Sequence, residues 1–85
     1  MKFLYTDRFA KRYRNLPDHV QARVDGQLAL LLGNPRHPSL RSKKMQGVGN
    51  IWEFRVTGGH RVTFQIQEGA YLLRNGGTHD ILREP

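Results

Sequence analysis

The sequence predicts an α+β fold: an N-terminal strand, a helical hairpin, then antiparallel strands forming one sheet covered on one face by the helices. Three observations carry this. Apolar residues recur at helical spacing from Phe9 to Leu31, the period changes to two from Ile51 onward, and glycine or proline punctuates the changes. A chain of 85 residues holds one thin core of this kind, so residues 1–85 are expected to form a single domain.

Residues 2–6 read as the short first strand. Thr6 or Asp7 can cap the helix that follows, a side-chain oxygen accepting an otherwise unpaired backbone N–H. Phe9, Tyr13 and Leu16 form one apolar stripe, with Arg8, Lys11, Arg12 and Arg14 mostly on the solvated side. Pro17 suits the first turn of a second helix. Val20, Val24, Leu28 and Leu31 continue at helical spacing to Gly33, a C-terminal stop. Gly26 inside this helix is expected to allow close contact with the first. Asn34 to Leu40, with Pro35 and Pro38, is a loop, and Arg41 to Gln46 is expected to form a strand.

The hairpin that follows is constrained by parity. Trp52, Phe54 and Val56 alternate with Glu53, Arg55 and Thr57; Val62, Phe64 and Ile66 alternate with Arg61, Thr63 and Gln65. A simple two-residue turn at Gly58-Gly59 would mix polar with apolar residues on each face. An odd loop pairs Thr57 with Arg61 and Val56 with Val62 and keeps the apolar set together, so a three-residue loop or a bulge is expected. Glu53, Arg55, Arg61, Thr63 and Gln65 then share an uncovered face. Gly69-Ala70 makes another turn, Tyr71 to Arg74 begins the last strand, and Gly76-Gly77 reads as a turn signal.

The charge balance points outward. Fourteen Lys and Arg stand against 7 Asp and Glu, a net charge of +7, which suits a polyanionic partner. No cysteine is present, which excludes disulfides, thiolate metal sites and a cysteine nucleophile. The four histidines have no ligand spacing, so no metal or cofactor is expected. No apolar run is long enough for a signal peptide or a membrane span, which suits the cytoplasm and no membrane partner.

Two groups can carry chemistry. Arg55 and Arg61 on the open face, with Lys43 and Lys44 on the preceding strand, match phosphate oxygens. The structural alternative is a cross-strand ion pair in which Glu53 satisfies one arginine. His79 follows Gly76-Gly77-Thr78 at the end of the last strand, where a histidine can reach the open face and exchange a proton near neutral pH. Asp80 can orient it or cap the final turn. His19, His37 and His60 fall in a first helical turn, a proline-bounded loop and a hairpin loop.

With these residues in place the chain resembles the RelE/ParE superfamily of toxins from toxin–antitoxin systems. The likeness lies in the order of elements and in two stretches. Ile51-Trp52-Glu53-Phe54-Arg55-Val56-Thr57-Gly58-Gly59-His60-Arg61-Val62-Thr63-Phe64 looks like the W-x-x-R-[IV]-T-x-x-[HY]-R-[LV]-x-[FY] run of RelE- and YoeB-type ribonucleases. Gly77-Thr78-His79-Asp80-Ile81-Leu82 looks like the G-T-H ending of YafQ-type toxins. The resemblance implies a metal-independent endoribonuclease that cuts mRNA in the ribosomal A site, inhibits translation and is silenced by a cognate antitoxin, an acidic protein encoded nearby. It implies that Arg55 holds the scissile phosphate, His79 is the general acid and Lys43 helps activate the 2′-OH. Arg61, Lys44 and Arg41 would bind RNA phosphate. Several relatives carry an aromatic residue at or shortly after the position following the histidine, whereas here no Tyr or Phe follows Tyr71. Two other readings of the same fold are a ParE-like inhibitor of DNA gyrase and an inactive relative that only binds its antitoxin.

Overall fold

The computed structural model describes residues 1–85. Strand β1 (Lys2–Tyr5) ends at Thr6, whose side chain accepts the Phe9 N–H at 3.0 Å and so starts helix α1 (Asp7–Arg14). Asp7 in the first turn and Lys11, Arg12 and Arg14 in the last complement the helix dipole. Helix α2 (Asp18–Gly33) begins after Pro17, which stands at the cap itself rather than inside the first turn. Val20, Val24, Gln27 and Leu31 form its buried stripe. Gly26 does not mediate a helix contact: it is exposed and faces open space.

The sheet has the order β1-β5-β4-β3-β2, from β2 (Lys43–Lys44), β3 (Trp52–Thr57), β4 (His60–Gln67) and β5 (Ala70–Thr78). Its later strands are antiparallel as expected, and β1 joins beside β5 in parallel. Helix α1 lies over β5 and α2 over β3. Between helices and sheet, Phe9, Val20, Val24, Leu31, Phe54, Val56, Val62, Phe64 and Leu73 make the buried core. Burial of each large apolar side chain is worth about 1.5–3 kcal/mol.

The strand expected over Arg41–Gln46 shrinks to Lys43–Lys44. Pro38–Leu40 form a short 3-10 helix, and Arg41 closes it in the left-handed region at φ 46°. That conformation is incompatible with a strand.

The parity argument survives, with a different register. Gly58-Gly59 is a two-residue turn that pairs Thr57 with His60, and a bulge at Val56 then shifts the ladder. Arg55 comes to lie opposite Arg61, and Phe54 rather than Val56 opposite Val62. The bulge keeps the apolar face together without a longer loop. Its carbonyls are taken by side chains. Gln27 Nε2 donates to Arg55 O at 2.8 Å, Arg23 Nε to Val56 O at 3.4 Å, and Arg61 Nη1 to Thr57 O at 3.0 Å.

Gly76-Gly77 is not a turn. Both glycines lie inside β5, which runs on to Thr78. A Cβ on Gly76 would stand 3.3 Å from the Phe9 ring, and one on Gly77 would stand 3.0 Å from Ile81 Cγ2. The glycines let α1 press on one face of the strand and the C-terminal segment on the other.

That segment corrects the expectation of an uncovered face. A 3-10 helix (His79–Arg83) folds back across β4 and β5 and buries Ile81. Thr63 Oγ1 donates to Pro85 O at 3.1 Å, Arg74 Nε to the same oxygen at 2.9 Å, and Asn75 Nδ2 to Glu84 O at 3.0 Å. Thr63 is thereby fully buried. The face stays open only toward β3 and β2.

Candidate functional site

The open part of the sheet forms a cleft of about 400 Å³ lined by Arg41, Lys43, Glu53, Arg55 and Arg61. Strand alternation explains the set. Lys43 lies opposite Glu53, and Glu53 opposite Thr63, so these residues and Arg61 share one face. Arg41 enters from the end of the proline loop.

Four cations meet one carboxylate there. Glu53 is 5% exposed and lies 3.7 Å from Arg61 Nε. Arg61 is also tied to the backbone, donating to Thr57 O and His60 O, each at 3.0 Å. Arg55 has no carboxylate partner; its Nε makes one long bond, 3.4 Å, to Thr57 O. Across the chain, Arg8 and Arg61 alone among the Lys and Arg residues form ion pairs. The structural alternative therefore describes Arg61, while Arg55, Lys43 and Arg41 remain free to bind an anion. A cleft with this surplus of fixed cations stabilises a phosphate, and more so one gaining charge.

Two expected site residues lie elsewhere. Lys44 is opposite Trp52 and so belongs to the other face of β2. His79 opens the C-terminal 3-10 helix and is exposed, one residue past the Thr78–His60 pair, and it does not line the cleft. Asp80 makes no bond to it, and Thr78 rather than Asp80 occupies the cap position. His60 is held by Thr57, Oγ1 to Nδ1 at 2.9 Å. No three His, Asp or Glu residues gather into a metal-binding group.

Gln27 is a contributor that the sequence reading missed. Its amide bridges Ser39 O at 3.2 Å and Arg55 O at 2.8 Å, joining α2, the proline loop and β3 behind the cleft. The available signal was a glutamine at a core position of the Val20-Val24-Leu31 stripe, where a buried amide must find partners.

No sequence-family model matches the chain. No curated protein matches it either. Solved structures do match in fold. A chain of the RelB–RelE antitoxin–toxin complex from Methanococcus jannaschii is 17% identical at a TM-score of 0.76, with 95% of each chain covered. The YoeB/ParE toxin from Agrobacterium tumefaciens is 15% identical at a TM-score of 0.79, covering 93% of this chain and 99% of that one. A chain of the DinJ–YafQ toxin–antitoxin complex from E. coli is 14% identical at a TM-score of 0.78, covering 94% and 93%. The chain thus has the RelE-like α+β fold. No helix is long and apolar enough to cross a membrane.

Proposed function

We propose that a protein with this fold and this cleft is the toxin of a type II toxin–antitoxin system, acting in the cytoplasm as a ribosome-dependent mRNA endonuclease. The observation that carries the reading is the cleft itself: Arg41, Lys43 and Arg55, none with a carboxylate partner, converge beside the paired Arg61. An acidic antitoxin fits the same surface, and two of the three structures named above are toxin–antitoxin complexes.

The chemistry needs no protein nucleophile. The RNA 2′-oxygen attacks the adjacent phosphorus, the bond to the 5′-oxygen breaks, and a 2′,3′-cyclic phosphate and a 5′-hydroxyl result. Arg55 holds the non-bridging oxygens and stabilises their growing charge. Lys43, as an ammonium, stabilises the developing 2′-alkoxide while water takes the 2′ proton, and His79 delivers a proton to the leaving oxygen. The A site supplies the alignment that so open a cleft lacks.

Mapping mRNA ends after induction tests this. The wild type should produce new cuts within translated messages, and Arg55→Ala and His79→Ala should remove them while leaving the fold intact. Absence of cuts with the wild type would sink the enzyme reading; normal cutting by both variants would sink the site assignment.

One observation favours a second reading. His79 stands outside the cleft lining, and Asp80, Ile81 and Leu82 rather than an aromatic come directly after it. That suits a toxin that binds DNA gyrase, or a relative that only binds its antitoxin. A supercoiling assay with purified protein separates these from the ribonuclease.

A further inference from the structure

The sheet has two edges, and the sequence treats them differently. The β2 edge is two lysines, Lys43 and Lys44, and charge of that kind keeps other strands away. The β1 edge reads Lys2-Phe3-Leu4-Tyr5 and carries its one charge at the end. Of the six exposed large apolar side chains, three lie there: Met1, Leu4 at 42% exposure and Tyr5 at 65%.

Only half of the β1 backbone is engaged. Lys2 N–H donates to Gly69 O at 3.1 Å and Thr6 N–H to Leu73 O at 3.0 Å, so the even positions face β5. By strand alternation Phe3 and Tyr5 turn their N–H and C=O groups to the outer side, where no strand lies. Their side chains line a hollow of about 390 Å³ on the helical face, walled by Phe9, Tyr13, Leu28 and Leu73. A free hydrogen-bonding edge beside an apolar hollow is what strand addition requires.

The strand also specifies what fits it. Antiparallel pairing of β1 with its own copy, about a two-fold axis at Leu4, sets Phe3 against Tyr5 of the partner subunit and Tyr5 against Phe3. These are the outward-facing positions, so each pair exchanges both of its N–H···O=C bonds. Leu4 meets its own copy on the axis, on the other face of the sheet. Lys2 falls opposite Thr6 of the partner subunit, beside Asp7, and neither Lys2 nor Asp7 has an ion pair within its own chain. No like charges oppose each other. The contact closes on itself and leaves no β1 edge free.

We infer that β1 is a dimerisation edge: a second copy of this chain adds its β1 antiparallel, joining the two sheets into one, and Tyr5 of each copy packs at the mouth of the other's hollow. The cationic cleft lies toward the opposite edge of the sheet. The dimer therefore presents both clefts outward, and the inference stands whatever they bind.

The chain has no cysteine, which makes the axis testable. Residues paired there stand about 4.5 Å apart between Cα atoms, a distance that a disulfide spans. Leu4→Cys oxidised with diamide should give a covalent dimer on a non-reducing gel. Leu32→Cys, similarly exposed but on α2, should stay largely monomeric. Sedimentation of the wild-type chain at rising concentration should show a monomer–dimer equilibrium. Tyr5→Pro removes one outward N–H from each copy, and proline is tolerated on an edge strand, so its circular dichroism should match the wild type. Its dissociation constant should rise about tenfold or more, from a hydrogen bond lost on each side of the axis. Leu4→Lys sets two ammonium groups together on the axis and should sediment as a monomer.

A wild type that stays monomeric up to about 1 mM overturns the inference. So does a dimer that Tyr5→Pro and Leu4→Lys both leave intact, which places the interface elsewhere. Equal cross-linking of the two cysteine variants overturns it as well. If an acidic peptide shifts the Phe3 and Tyr5 amides of a chain that remains monomeric, the edge serves a different protein and not a second copy.

Discussion

Arg55 on β3 stands directly opposite Arg61 on β4, and Glu53 neutralises only Arg61, at 3.7 Å. Like charges at opposed positions weaken a sheet by up to about 1 kcal/mol. The chain tolerates the clash at the point where the anion is proposed to bind. The two arginines should therefore respond to mutation in opposite ways. Arg55→Ala should leave thermal stability unchanged or slightly raised while lowering cleavage by about 100-fold or more, the loss usual for a transition-state charge partner. Arg61→Ala should lower stability by about 1–3 kcal/mol, because Glu53 is left buried without its nearest cation. Paired urea unfolding and cleavage assays check this. Equal stability losses in the two variants would contradict the division of roles.

Gln27 extends the argument to the backbone behind the cleft. The ladder shifts register at Val56, and beside the shift the Gln27 amide donates to Arg55 O while holding Ser39 O on the proline loop. Gln27→Ala should cost about 1–3 kcal/mol by orphaning these carbonyls. It should also loosen the cleft, so amide exchange at Phe54–Val56 and Ser39–Arg41 should quicken more than in β5. Uniform quickening across the sheet would assign Gln27 to general stability alone.

These features explain what was legible in the sequence. The helical hairpin and the two-faced β3–β4 pair follow from apolar spacing, which is a local property. Hairpin parity alone places Arg55 and Arg61 on one face, because a one-residue slip would expose Phe54 and Phe64. The register itself was not legible, since a bulge at Val56 and a longer loop give the same parity. Gly76-Gly77 read as a turn because the contacts that demand glycine there, with Phe9 and Ile81, are distant in sequence. The folded-back C-terminus was hidden for the same reason. Its anchors are buried Thr63 and Asn75, two polar residues whose partners at Pro85 and Glu84 only the fold brings near.

Glycines make that distinction measurable. Gly26 lies mid-helix with nothing within 4 Å of an added Cβ, so Gly26→Ala should stabilise the protein by about 1 kcal/mol. Gly76→Ala should do the reverse. Its Cβ would meet Phe9 at 3.3 Å and Val62 at 3.5 Å, and core overpacking costs about 1–3 kcal/mol. Opposite shifts in melting temperature are expected. A stabilised Gly76→Ala would mean that α1 is not pressed against β5.

The last prediction concerns alkaline pH. Tyr13 on α1 donates its phenol to Asp25 Oδ1 on α2 at 2.7 Å, tying the two helices of the hairpin. That hydrogen bond first, then partial burial, then the charge of Asp25 raise the Tyr13 pKa above its ordinary value of about 10. The folded state holds this proton more tightly than the unfolded state. The contribution is therefore complete below about pH 10, where the phenol is protonated in both states, and it is lost as pH rises through the higher folded value. Tyr13→Phe keeps the ring beside Phe9 and removes the bond. The margin in unfolding free energy between wild type and Tyr13→Phe should be small, because the bond lies at the surface, and constant near neutrality. It should shrink above about pH 10. Comparing the two proteins at each pH cancels the titration of the other tyrosines and the lysines. A margin that stays level or widens in that range would show that Tyr13 is not held to Asp25 in solution.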